Sequence, residues 1–111
     1  MDKLLEQSLL YDFYGELLTP HQRSIYESFV FEDLSLGEIA QQEGISRQGV
    51  HDLVKRCDKT LREYEEKLHL VQRFTDMKER IEIIQKLSSG PLEPNTLKQI
   101  QNLSVELLEE L

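Results

Sequence analysis

Arg47, Gln48, His51, Lys55 and Lys59 are the side chains of this sequence whose types and spacing best suit chemistry with a partner. On a helix at about 100° per residue they share one arc, from zero at Arg47 to roughly 120° at Lys59. Val50, Leu53, Val54, Cys57 and Leu61 fall between roughly 240° and 340° on the same wheel. One side of such a helix is buried and a neighbouring side is offered to a charged ligand. The residue types fit duplex DNA. Arginine can grip guanine and glutamine can grip adenine through paired hydrogen bonds in the major groove. Lysine neutralises phosphate, which fixes position without specifying sequence. Arg47, Gln48 and His51 are therefore expected to meet base edges, with Lys55 and Lys59 on phosphates. Arg62 and Asp58 fall within the same arc, and Asp52 lies at its edge. The plain alternative is a solvated, charged helix face.

The elements that would position this arc are legible just upstream. Ser35 and Glu38 have the spacing of a capping box, in which side chain and backbone satisfy one another at a helix start. Ile39 and Ala40 give that helix an inward face. Gly44 can adopt the positive φ that ends it, Ile45 is expected to plug the core beneath the turn, and Ser46 can cap the next helix. Two capped helices around a glycine turn make a helix-turn-helix, expected over about 35–59, whose second helix enters the major groove in DNA-binding proteins. An ordinary helical hairpin is the alternative.

The charge balance opposes and then supports this reading. The 111 residues carry a formal net charge of −8, which repels phosphate. Residues 1–44 hold two basic and nine acidic side chains, and residues 63–111 hold six and ten. Residues 45–62 hold five basic and two acidic side chains, net +3, so the positive charge gathers on the expected recognition helix.

The remaining periodicities predict an all-α protein. A first helix is expected over about 2–17, with Leu5, Leu9, Phe13 and Leu17 every four residues and Leu10 and Tyr14 beside them. Thr19 and Pro20 mark the start of a second helix as N-cap and first helical residue. It is expected to reach about Phe31, with Ile25, Phe29 and Val30 inward. From Ser46 a helical pattern runs to Ser88, and Val50, Val54, Cys57, Leu61, Tyr64, Leu68 and Val71 keep coiled-coil spacing. So long a helix is expected to break or bend near 70–76 and pack antiparallel on a last helix striped by Leu97, Ile100, Leu103, Leu107 and Leu111. The division expected is a helix-turn-helix domain over 1–69 and a helical extension over 70–111, packed on that domain or on a second subunit. The surplus of apolar stripe predicts a homodimer.

No catalytic constellation competes, so the expectation is a non-enzyme without cofactor or metal. His21, His51 and His69 lie far apart and lack metal-site spacing. Cys57 lies on the apolar arc and reads as a buried structural thiol. A lone cysteine, no run of membrane-spanning length and no signal-peptide layout together predict a cytoplasmic protein that inserts in no membrane.

The stretches Leu18-Thr-Pro-His-Gln-Arg, Leu34-Ser-Leu-Gly-Glu-Ile-Ala and Ile45-Ser-Arg-Gln-Gly-Val resemble region 4 of bacterial sigma factors, over about residues 17–62. That resemblance implies a helix-turn-helix of the kind that reads the −35 promoter element. Gly49 and His51 stand where those recognition helices usually carry extra arginines, and Gly49 weakens the helix start. Over its whole length the chain resembles the small YlxM-type proteins. Leu10-Tyr-Asp-Phe-Tyr, Glu32-Asp-Leu-Ser-Leu-Gly-Glu-Ile-Ala, Ser46-Arg-Gln-Gly-Val-His-Asp and Glu63-Tyr-Glu-Glu-Lys-Leu carry the likeness. The genes of that family lie beside those for the signal recognition particle GTPases. The resemblance thus implies a DNA-binding regulator linked to that pathway, with double-stranded DNA and signal recognition particle components as partners. A helical protein–protein adaptor on a sigma-like scaffold, without DNA readout, is the alternative.

Overall fold

A computed structural model describes residues 2–111, which form six α-helices and, among the described residues, no strand. These are α1 (Lys3–Tyr14), α2 (Pro20–Val30), α3 (Leu36–Glu43), α4 (Arg47–Leu68), α5 (Leu70–Ser88) and α6 (Pro94–Glu110), with a 3₁₀ turn at Gly15–Leu17. The fold is all-α, as the sequence periodicity predicts. Contacts divide the chain into two compact units, residues 1–69 and 70–111.

Local chemistry places the starts of the helices in the first unit. Thr19 Oγ1 accepts from Gln22 N at 3.2 Å while Thr19 N donates to Gln22 Oε1 at 3.0 Å, with Pro20 at the first helical position. Ser35 and Glu38 repeat the arrangement on α3, both bonds at 3.1 Å. The bonds from Ser35 hold the Glu38 carboxyl below the usual carboxylate range, backbone first and side chain second. Glu38 therefore contributes to stability above the ordinary carboxylate pKa, and that contribution is lost as pH falls through its lowered value. Replacing Ser35 with alanine is expected to cost about 1 kcal/mol by the usual worth of an N-cap, read as a shift in urea midpoint at unchanged slope.

The core of this unit is formed where α1, α2 and α3 all pack on α4. Ile25, Tyr26, Ile39, Val50, Cys57 and Leu61 are wholly buried and Tyr14 nearly so. Burial and the adjacent Asp58 push the Cys57 thiol up to about 11, so it stays protonated at neutral pH and serves as packing.

Polar bonds orient α1 as much as packing does. Gln7 Nε2 donates to both carboxylate oxygens of Asp58 at 3.1 Å, and Tyr14 Oη donates to Glu65 Oε1 at 2.5 Å. Arg62 pairs with Glu6. From α2, Tyr26 Oη donates to Asp58 Oδ1 at 2.5 Å. The residues of α1 that sink into the core are thus Gln7, Leu10 and Tyr14. The four-residue stripe expected to be inward is not the buried face: Leu5, Phe13 and Leu17 are exposed and Leu9 is half-buried. The helix stops at Tyr14 rather than Leu17, where the chain tightens into the 3₁₀ turn. On α2, Ile25 and Val30 are buried, but Tyr26 rather than Phe29 completes the inward set.

The expected break after the recognition helix lies at His69. Its φ of 56° is left-handed, and its N–H bonds back to Glu65 O at 2.9 Å, which ends α4. The apolar seam is buried from Val50 through Leu61, half-buried at Tyr64 and exposed at Leu68.

In the second unit α5 and α6 pack on one another as a hairpin joined by residues 89–93. Arg80 pairs with Glu106 at 3.3 Å and Glu110 at 3.4 Å across that contact. Among the described residues of this unit only Val71 is fully buried, and α6 buries none.

Candidate nucleic-acid interface

The recognition element is built from two short-range devices. Gly44 ends α3 with φ 70°, its N–H bonding Ala40 O at 2.9 Å, and Ile45 N reaches the same carbonyl at 3.2 Å. Ser46 Oγ then accepts from Gly49 N at 2.9 Å and starts α4. Ile39 and Ala40 on α3 and Val50 and Val54 on α4 are buried where the two helices pack. Leu53 is half-buried. Ile45 does not plug the core: it is 37% exposed, because the turn carries it outward while Ile39 and Val50 close the space beneath.

Two observations explain the glycines of the motif. Gly44 needs its positive φ. A Cβ on Gly49 would lie 3.1 Å from the Ser46 hydroxyl, so this position leaves the cap room at some cost in helix propensity.

All five expected DNA-facing residues lie on α4, and they fall into two groups. At its start Arg47 and Gln48 are exposed and His51 is half-buried. The Arg47 side chain runs back over the first turn of α3, its Nε 3.7 Å from where a Cβ on Gly37 would sit. Gln48 Nε2 donates to Asp52 Oδ1 at 2.9 Å, and His51 Nδ1 lies 3.6 Å from the same oxygen. Among the described side chains, His51 Nδ1 is the buried polar atom left without a hydrogen bond. From the edge of the arc, Asp52 therefore engages two of the three candidate base readers, Gln48 and His51. A carboxylate there accepts from a cytosine amino group and opposes a phosphate.

One turn further on, Lys55 and Lys59 are exposed and line a shallow depression between α1 and α4. Lys3 and Arg62 share that lining with Asp58, Glu63 and Glu66. Docking of α1 changes what the arc on α4 contains. Asp58 turns inward to Tyr26 and Gln7, and Arg62 is engaged by Glu6, so neither is a free member of the outward arc. Lys3, on another helix and 52 positions before Lys55, joins the lysine group. Sequence spacing along α4 carries no signal for it, because only the packing of α1 brings it there.

Among the described residues no group of three or more His, Cys, Asp or Glu side chains could hold a metal ion. No described helix is long and apolar enough to cross a membrane.

Comparison with known proteins agrees with this architecture. The family model described as "Putative helix-turn-helix protein, YlxM / p13 like" matches residues 1–104. A UPF0122 protein of Thermoanaerobacter sp. (strain X514) is 42% identical over 112 aligned positions, covering 97% of this chain and 96% of the relative. The UPF0122 protein YlxM of Bacillus subtilis (strain 168) is 38% identical, with 100% of this chain and 97% of the relative covered. One from Caldanaerobacter subterraneus is 52% identical over 83 positions, with 75% and 71% covered. The chain belongs to the UPF0122 family of YlxM / p13-like helix-turn-helix proteins.

Proposed function

We propose that this chain is a DNA-binding regulator that lays the N-terminal half of α4 in the major groove of a duplex. One observation carries the reading. A doubly capped helix-turn-helix buries Val50, Val54, Cys57 and Leu61 while offering Arg47, Gln48, His51, Lys55 and Lys59 on the neighbouring side. Arg47, Gln48 and His51 read base edges, and Lys55 and Lys59 hold phosphates. Binding requires Gln48 to exchange its bond to Asp52 for one to a base. In this reading the chain works as a pair, so that two copies of α4 meet two half-sites.

Selection of preferred duplexes from a random pool, followed by titration of variants, tests the assignment. Arg47→Ala is expected to cost on the order of 1–3 kcal/mol on the selected site and almost nothing on unrelated duplex. Equal loss on both would make Arg47 a phosphate contact rather than a reader.

Asp52 favours a second reading, an adaptor that kept the scaffold without base readout. The resemblance to YlxM-type proteins makes signal recognition particle components the first partners for that reading. It predicts partner capture that survives Arg47→Ala and Lys55→Ala, with no duplex affinity at low salt.

A further inference from the structure

Docking of α1 closes the far part of the outward side of α4, and the first turn of α1 comes to stand beside what stays open. On the wheel that puts Arg47 at zero, Asp58 falls at about 20° and Arg62 at about 60°, inside the arc of the five candidate DNA contacts. Both are covered from α1: Gln7 Nε2 donates to Asp58 at 3.1 Å and Glu6 pairs with Arg62. At 1.5 Å per residue Asp58 lies about 10 Å along the axis from His51. A duplex laid along Arg47, Gln48 and His51 therefore meets α1 within two turns. The pairings also give the direction of α1. Gln7 lies at Asp58 and Tyr14 at Glu65, so the two helices advance in the same sense. The first turn of α1 is then its part nearest the base-reading end of α4, and Lys3 stands in that turn.

We infer that Lys3 is a further phosphate contact, so that the DNA backbone passes from α4 onto the first turn of α1 and Lys3, Lys55 and Lys59 hold neighbouring phosphates of one strand. The inference rests on the duplex reading of α4. Lys3 lines the same depression as Lys55 and Lys59, and all three are exposed. Among the described residues none of the three has a carboxylate within ion-pair distance. The acids of the depression are placed differently. Asp58 is turned inward to Tyr26 and Gln7. Glu63 and Glu66 follow Lys59 on α4, about 6 and 10 Å further from the base readers. They repel phosphate at that end and so limit the track to the three lysines. Asp2 precedes Lys3 at the cap of α1 and bounds it on the other side. Lysine suits this task, because a point charge on a flexible stem reaches a phosphate from either helix without a fixed geometry. Contacts of this kind position the protein and carry no sequence information. Two helices gripping one strand would fix the angle at which α4 enters the groove, which α4 alone leaves free to roll.

The salt slope of duplex binding tests this on the full chain, with a selected and a mixed-sequence duplex. Lys3→Ala is expected to make the log–log slope shallower by about one on both, and to take off about one more when added to Lys55→Ala/Lys59→Ala. Lys3→Arg keeps the charge and is expected to keep the slope. Lys67→Ala controls for mere loss of charge. Lys67 is an exposed lysine in the last turn of α4, beyond Glu63 and Glu66, and its loss is expected to leave the slope unchanged. Circular dichroism and an unchanged urea midpoint confirm folding, and Lys3→Gln replaces Lys3→Ala if the first turn of α1 frays. If Lys55→Ala/Lys59→Ala lowers the slope and Lys3→Ala does not, the inference falls while the duplex reading stands. Equal loss from Lys67→Ala overturns it as an effect of net charge alone. A wild-type protein without duplex affinity overturns both.

Discussion

Asp58→Ala is expected to destabilise the first unit by about 2–4 kcal/mol, because two buried donors lose their acceptor at once. The Tyr26 hydroxyl belongs to a wholly buried residue and lies 2.5 Å from the carboxylate, and Gln7, also buried, is 3.1 Å away. Asparagine keeps one carbonyl for Tyr26 and should cost clearly less. Chemical denaturation of both variants measures the difference. Were Asp58 a free member of the outward arc, alanine would leave stability unchanged and tighten duplex binding by removing a repulsive charge. The same site sets an alkaline limit. Burial, then the hydrogen bond to Asp58 and its charge, push the Tyr26 hydroxyl far above the ordinary phenol range. A raised pKa means the native state holds the proton more tightly than the unfolded chain. The contribution is full below about pH 10 and is lost as pH rises above it. Tyr26→Phe should flatten that alkaline loss while lowering stability at neutral pH by about 1–3 kcal/mol.

Leu61→Ala should cost about 2–5 kcal/mol, the range for emptying a fully enclosed leucine site. Leu61 is wholly buried on α4, the helix against which the other three helices of its unit pack, so the void is walled on several sides and collapses poorly. An exposed leucine such as Leu108, 69% exposed, should cost less than about half a kilocalorie in the stability of the first unit. Equal effects at the two positions would mean that the core is not where Val50, Cys57 and Leu61 place it.

The features legible in the sequence share a physical property: their determinants lie within four residues of each other. Thr19 with Gln22, Ser35 with Glu38, the Gly44 turn and the Ser46 cap all stand where their spacing predicts. The inward face of α4 from Val50 to Leu61 was equally readable, because a fixed helical period carries it. What spacing missed depends on partners far along the chain. Gln7, a polar residue that no apolar period marks, is buried where Asp58, 51 residues away, accepts its hydrogen bonds. A hydrophobic period alone therefore selects Leu5, Phe13 and Leu17, which are exposed. The same pairing removes Asp58 and Arg62 from the outward arc and brings Lys3 beside Lys55 and Lys59. His69 ends α4 in a left-handed conformation without a glycine to announce it.

The central claim is that the outward side of α4 holds a DNA duplex, and the salt dependence of binding tests it most directly. A labelled mixed-sequence duplex is titrated with wild type and with Lys55→Ala/Lys59→Ala, from about 50 to 200 mM salt, the range over which phosphate contacts weaken steeply. Wild type is expected to bind at the low end. The double variant, its fold confirmed by circular dichroism, should bind more weakly on every sequence, with a log–log salt slope shallower by about two. A folded wild-type protein with no measurable duplex affinity at about 50 mM salt, where electrostatic attraction is strongest, would contradict the account.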